Sequence, residues 1–150
     1  MPNGSHIAFS PIAPVTGSEA QEQYKMTRRA NEKYGFDFIG TFIIGMREMH
    51  HVVEIVFDRS DPESRRRAHL CAKEMIDEGA AKGWGEYRTH LAIMDQVAGT
   101  YNFNNNINMR LNQMIKDGVD KKGILAPGKN GVWPKRYREN IEQWRVPLPN

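Results

Sequence analysis

Apolar residues fall along this chain in short runs whose spacing alternates between strand-like and helical. After the Asn3-Gly4 turn signal, His6 to Ile12 alternates as a strand and ends among Pro11 and Pro14. Thr16, followed three residues later by Glu19, forms a capping box. Behind it Ala20, Tyr24, Thr27 and Asn31 share one helical face until Gly35. Phe38 to Met46 and Val52 to Phe57 are nearly continuous apolar runs of strand length and read as largely buried strands. Ser60, Pro62 and Glu63 supply cap, first-turn proline and capping-box partner to a second helix. Its stripe is Ala68, Cys71, Ala72, Met75, Ile76 and Ala80, and Gly83 and Gly85 end it.

With Glu86 to Leu91 as a possible last strand, the order is strand, helix, strand, strand, helix, strand. That is the split βαβ, ferredoxin-like pattern of an α+β fold. Beyond it, Ile107, Leu111, Met114 and Ile115 predict one more amphipathic helix. Gly118 and Gly123 then open an irregular, proline-rich tail with little core of its own.

A chain of 150 residues has the size of one ordinary domain, although two half-domains fit equally well. Apolar residues at 39% and charged residues at 26% describe a soluble, folded protein. The excess of 21 Lys+Arg over 18 Asp+Glu comes largely from Arg65, Arg66, Arg67, Lys135, Arg136 and Arg138. Without aromatic interleaving or a known motif these read as solvated helix faces, so no nucleic-acid partner is expected. The lone Cys71, on an apolar stripe, excludes disulfide and zinc frameworks and reads as a small core residue. No apolar run approaches the ~18 residues that cross a membrane. The opening residues lack the regions of a signal peptide, so the expected location is the cytoplasm.

Taken alone, the chemically versatile residues are few. His50 and His51 are adjacent on a strand and point to opposite faces, which disfavours a shared metal, and no metal site is expected. His69 lies among arginines and reads as solvated. His90 is either a partner of the preceding Tyr87-Arg88 pair or a packed polar residue. Tyr87 and Arg88 sit between a glycine-rich turn and an apolar segment, where a phenolic hydroxyl and a guanidinium fork would make an anion clamp.

Several longer strings occur together and in order: PNGSH at 2–6, FSPIAPVTG at 9–17, DFIGTFIIGMREMHH at 37–51, GWGEYRTHL at 83–91, DQVAGTYNFNNN at 95–106 and GILAPGKNGVWP at 123–134. In these the chain resembles the C-terminal part of the vanillyl-alcohol oxidase / 4-cresol methylhydroxylase family of flavin-dependent oxidoreductases. The likeness runs from Pro2 to about Pro134. The resemblance implies FAD, bound covalently through His6, which puts the chain on the oxidase side of the family. It implies that Tyr87 and Arg88 bind the substrate's phenolate oxygen, with Arg88 and Lys129 also beside the cofactor. Ala8, Phe38, Thr41, Met46, His50, Val52 and Glu86 match positions around the substrate cavity; at position 8 the family carries a bulky aromatic, so alanine implies a roomier pocket.

On this resemblance, residues 1–85 are the closing part of a cap, or substrate, domain. Residues 86–150 are the segment that packs against an FAD-binding domain encoded outside this chain. The implied reaction is oxidation of para-substituted phenols at the benzylic carbon, by hydride transfer to flavin through a quinone methide, with oxygen or another acceptor regenerating the cofactor. The complete enzyme is expected to form homo-oligomers, and the isolated chain to be inactive. The competing reading is a non-catalytic ferredoxin-like module that binds an anionic or phenolic ligand through the Tyr87-Arg88 clamp. Such a module has no use for a histidine at position 6.

Overall fold

The central strand β4 (Met49–Asp58) alternates between buried and accessible positions along its length. The computed structural model describes residues 3–145 and 147. In it, β1 (Gly4–Phe9) and β2 (Pro11–Ala13) run along one edge of β4 in a single unbroken register, from Gly4 opposite Asp58 to Ala13 opposite Met49. On its other edge lies β3 (Ile39–Ile44), antiparallel, with Ile39 opposite Glu54. The two-residue strand β5 (Gly85–Glu86) pairs with β2. With β1 and β2 counted as one line, the sheet has the antiparallel arrangement of the ferredoxin-like pattern, each central strand having a neighbour on both sides.

Helices α1 (Gly17–Lys33) and α2 (Pro62–Ala81) pack on one face of this sheet and on each other. They bury Ile7 and Phe9 of β1 together with Met49, His51, Val53, Ile55 and Phe57 of β4. From α2 come Ala68, Cys71, Ala72, Met75 and Ile76, the stripe expected from periodicity, although Ala80 stays half-buried. Burial pushes the Cys71 thiol up to about 12, which suits an inert core residue.

Several expectations change. The buried face of α1 is Gln23, Met26, Thr27, Ala30 and Asn31 rather than the row through Ala20 and Tyr24, because two amides point inward while Tyr24 lies at the surface. The cap of α2 is Asp61, whose carboxylate accepts from the Glu63 N–H at 3.0 Å; the Ser60 hydroxyl instead donates to Asp58. β4 begins earlier than Val52 and includes both histidines, while the last strand stops at Glu86. The arginines of α2 are tied down locally. Arg65 donates to the Arg59 carbonyl, Arg66 pairs with Glu63, and Arg67 lies over the Phe36 ring. His69 is half-buried, with its Nδ1 at 2.8 Å from the Arg65 carbonyl.

β5 lies within the first compact unit, and the second begins at Leu91. This unit holds α3 (Met94–Thr100), α4 (Phe103–Val119) and α5 (Lys135–Arg138). Ile93, Met94, Val97 and Trp133 form a small core, and the Trp133 indole N–H donates to Asp95 at 2.7 Å. Gly128 (φ 79°) lies so close to Trp133 that a Cβ there would meet the ring at 2.6 Å, which explains the glycine. Near its start α4 departs from the helix, with Asn104, Asn105 and Asn106 all left-handed, a conformation asparagine tolerates better than most residues. The expected stripe of Ile107, Leu111, Met114 and Ile115 is helical but exposed.

His51 lies under the sheet, 1% exposed, stacked 4.1 Å from the Phe42 ring, and both its nitrogens lack a hydrogen-bond partner among the described residues. Burial lowers its pKa to about 4. The unfolded chain therefore takes up a proton below its ordinary value of 6.5 that the folded protein refuses until about 4. Stability from this group is complete above pH 6.5 and is lost as pH falls to 4, by up to about 3 kcal/mol. We expect urea unfolding between pH 4 and 7 to show this loss in the wild type, and the corresponding part of the slope to vanish in His51→Phe.

Candidate functional site

The other face of the sheet has no helix of the first unit on it, and the pairing register fixes which side chains it carries. His6 stands opposite Val56; Ala8 and Ile39 flank Glu54; Thr41 stands opposite Val52; and Ile12 and Ile43 flank His50. Residues opposite one another in antiparallel strands project to the same face. Ile39, Ile43 and Val56 are exposed there, at 49%, 58% and 43%. The result is a largely apolar surface with two histidines and one carboxylate set into it.

Tyr87 joins this surface from the segment after β5. Its N–H donates to the Ser10 carbonyl at 2.9 Å, extending the β2–β5 pairing by one bond, and its ring meets the edge of the His50 ring at 4.4 Å. The phenol remains 57% exposed. The Arg88 guanidinium lies 5.7 Å from the Tyr87 ring centre, within cation–π range. Beside them Glu86 faces Pro11 across the pair, and its carboxylate accepts from the Ser10 N–H at 3.0 and 3.1 Å. Because Pro11 has no N–H and Ser10 spends its own on this side chain, β1 and β2 are separated here by one residue. Burial pushes the Glu86 carboxyl up to about 8, against the opposing pull of that N–H.

Of the residues singled out in the sequence, His6, Ala8, Thr41, His50, Val52 and Tyr87 thus share one face, with Arg88 adjoining Tyr87, whereas Glu86 stands opposite Pro11 in the buried row of Ile7, Phe9 and Ala13. Phe38 does not. It lies on the helix side, edge-on to Tyr24 at 5.3 Å, because residues 38, 40 and 42 alternate away from the open face. Met46 is fully exposed in the turn between β3 and β4. Lys129 belongs to the second unit, where it lines a hollow with Trp133, Asp95 and Arg145. His90 meets the His69 ring edge-on at 5.7 Å. One residue escaped the sequence reading: Glu54, which lies inside an apolar run. Counting alternation from His50 through Val52 would have put it on the open face.

Residues 2–130 match the family described as FAD linked oxidases, C-terminal domain. The chain belongs to that family. Over 129 residues it is 37% identical to the 4-cresol dehydrogenase (hydroxylating) flavoprotein subunit of Pseudomonas putida, an alignment covering 86% of this chain and 24% of that protein. Among solved structures, a 4-ethylphenol oxidase from Gulosibacter chungangensis, in an isoeugenol complex, is similar with a TM-score of 0.89 and 44% identity over 92% of this chain and 26% of its own. A p-cresol methylhydroxylase with substrate bound is similar with a TM-score of 0.81 and 36% identity, over 86% of this chain and 24% of its own. The chain spans about a quarter of the length of these relatives.

The cofactor of FAD-linked oxidases is FAD, and the open face fits it. The His6 side chain is 67% exposed, so its imidazole is available to a group arriving from outside the sheet. The exposed apolar side chains of the open face form a surface that a flat ring system could cover. Among the described residues no helix is long and apolar enough to cross a membrane.

The raised value of Glu86 carries a second pH dependence, opposite in sign to that of His51. The folded protein keeps a proton that the unfolded chain releases above 4.5, so this contribution is complete below pH 4.5 and lost as pH rises to about 8. Glu86→Gln should remove that loss. Its unfolding free energy, compared with wild type at pH 5 and pH 8, should change less between the two.

Proposed function

We propose that this chain supplies the substrate-facing sheet of an FAD-dependent oxidase of the vanillyl-alcohol oxidase type, which oxidises para-substituted phenols at the benzylic carbon. The observation that carries the proposal is the placing of Tyr87, held against His50, on the same open face as His6. A phenol donor and a histidine open to the flavin stand on one surface, as the reaction requires. In this reading the sheet unit is the closing part of the substrate domain, and the helical segment after it packs on an FAD-binding lobe encoded elsewhere. The relatives named above support the reading: they are enzymes of 4-cresol and 4-ethylphenol.

The chemistry follows from charge. A free phenol has a pKa near 10 and is mostly neutral at pH 7. The Arg88 guanidinium and the Tyr87 hydroxyl favour its anion by charge and hydrogen bonding. Bound FAD supplies the hydride acceptor. The phenolate pushes electron density into the ring, hydride leaves the benzylic carbon, and a quinone methide remains, to which water adds or from which a proton is lost. Because the oxygen loses negative charge along this path, Tyr87 and Arg88 help mainly by populating the reactive anion, and over-tight binding would slow the step. His50, in contact with the Tyr87 ring, holds that ring in place. Ala8 leaves room beside Glu54 where a larger side chain would narrow the cavity.

Two outcomes are expected in the complete protein. Arg88→Ala should weaken binding of a phenolate inhibitor by about 1.5–3 kcal/mol, the worth of a hydrogen bond to a charged group, and Arg88→Lys should restore little of it. The measurement is the absorbance of the bound phenol at pH 7. Wild-type phenolate spectra and flavin-reduction rates in Arg88→Ala and Tyr87→Phe would contradict the assignment. Ala8→Phe should shift kcat/KM towards smaller phenols, and an unchanged size series would show that position 8 does not face the substrate.

A further inference from the structure

Glu54 is not explained by packing. Ala8 stands opposite it on β1 and Ile39 on β3, so the carboxyl is fenced by apolar neighbours on both sides. Its Oε2 is buried and has no hydrogen-bond partner among the described residues. Such an oxygen is costly to keep without a function or a partner. The group it faces is His6, whose Nε2 lies 3.7 Å away, too far for a hydrogen bond. The His6 side chain is 67% exposed, which leaves its ring room to turn towards that oxygen. Both side chains line one hollow of the open face, with Gly4, Ser5, Ile39 and Val56.

We infer that Glu54 is the proton acceptor for His6 when that imidazole forms its bond to the flavin. The inference rests on the reading of His6 as the flavin-linking residue. A nitrogen that attacks carbon needs a free lone pair, and with the proton on Nε2 that pair is engaged until a base removes it. Glu54 is the base the fold puts beside that atom. In the balanced step the N–H bond of His6 breaks and its proton goes to Glu54, while the nitrogen bonds to a methyl carbon of the flavin. One C–H bond of that methyl group breaks, its proton passes to solvent, and its electron pair passes to the isoalloxazine. Dioxygen then accepts the pair.

The test uses the complete protein prepared without FAD, to which FAD is added at pH 7, with the covalent product followed by flavin fluorescence on denaturing gels. Wild type should gain fluorescence, and His6→Ala should never gain it while still holding FAD that is released on denaturation. Glu54→Gln should bind FAD equally well but form the bond at least about tenfold more slowly, the lower range being what one acid–base group contributes. Glu54→Asp should fall between. Glu54→Ala should be slow and be accelerated by added formate, a small carboxylate that fits the vacated space, a rescue that a purely structural role for Glu54 would not give. Fluorescence surviving in His6→Ala overturns the reading of His6. Loss in His6→Ala with a wild-type rate in Glu54→Gln overturns the role of Glu54 alone. If Glu54→Gln fails to retain FAD, the Glu54→Ala arm decides, and no acceleration by formate counts against the inference.

Discussion

Both faces of the sheet depend on the pairing of β4 with the β1–β2 line on one side and β3 on the other. The register assigns each residue of three strands to a face. Met49, His51, Val53, Ile55 and Phe57 go under the helices, and His50, Val52, Glu54 and Val56 go to the open side. A slip of one residue would exchange the two sets. His50 would then enter the core and His51 would leave it, and the contact between His50 and Tyr87 would be lost. Two helices on one face of the sheet and none of their kind on the other make the unit one-sided, with its apolar residues exposed where a cofactor and a phenol could lie.

The same burial that stabilises the unit decides the state of its titratable groups. His51 beneath the sheet and Glu86 at its edge are both driven towards their neutral forms, one by a lowered and the other by a raised pKa. Charges remain where solvent reaches them, on the basic–acidic pairs of the helices such as Arg29 with Glu78 and Lys33 with Glu74. Those pairs hold α1 to α2 and leave the open face free of them. The basic excess of the sequence is therefore largely spent on local contacts, including Arg138 with Asp117 in the second unit.

The element order was legible in the sequence because caps, glycine stops and apolar runs mark it plainly. The faces were less so. In VVEIVF both faces of the strand carry apolar residues, so the period of two is disguised and the run reads as buried on both sides, when Val52 and Val56 in fact lie on the open one. On α1 the inward residues include Gln23 and Asn31, which a hydrophobicity pattern assigns to solvent. The exposed stripe of α4 reads as a buried face because periodicity reports amphipathicity and not the presence of a partner. The candidate site residues were singled out only through resemblance: nothing in the spacing of His6, Thr41 and Tyr87 announces that they share one surface. Phe38 shows the limit of that route, since a family position does not reveal which way a side chain points. Glu54 was recoverable from alternation alone.

The open face of this sheet is proposed to receive the phenol. This is tested most directly by the crystal structure of the complete protein with a para-substituted phenol bound. The phenol oxygen is expected at hydrogen-bond distance, about 2.7–3.0 Å, from the Tyr87 hydroxyl, with the ring lying over the face that carries Ala8, Thr41 and Val52. A phenol bound on another surface, with Tyr87 and His50 covered by other parts of the protein, would contradict it.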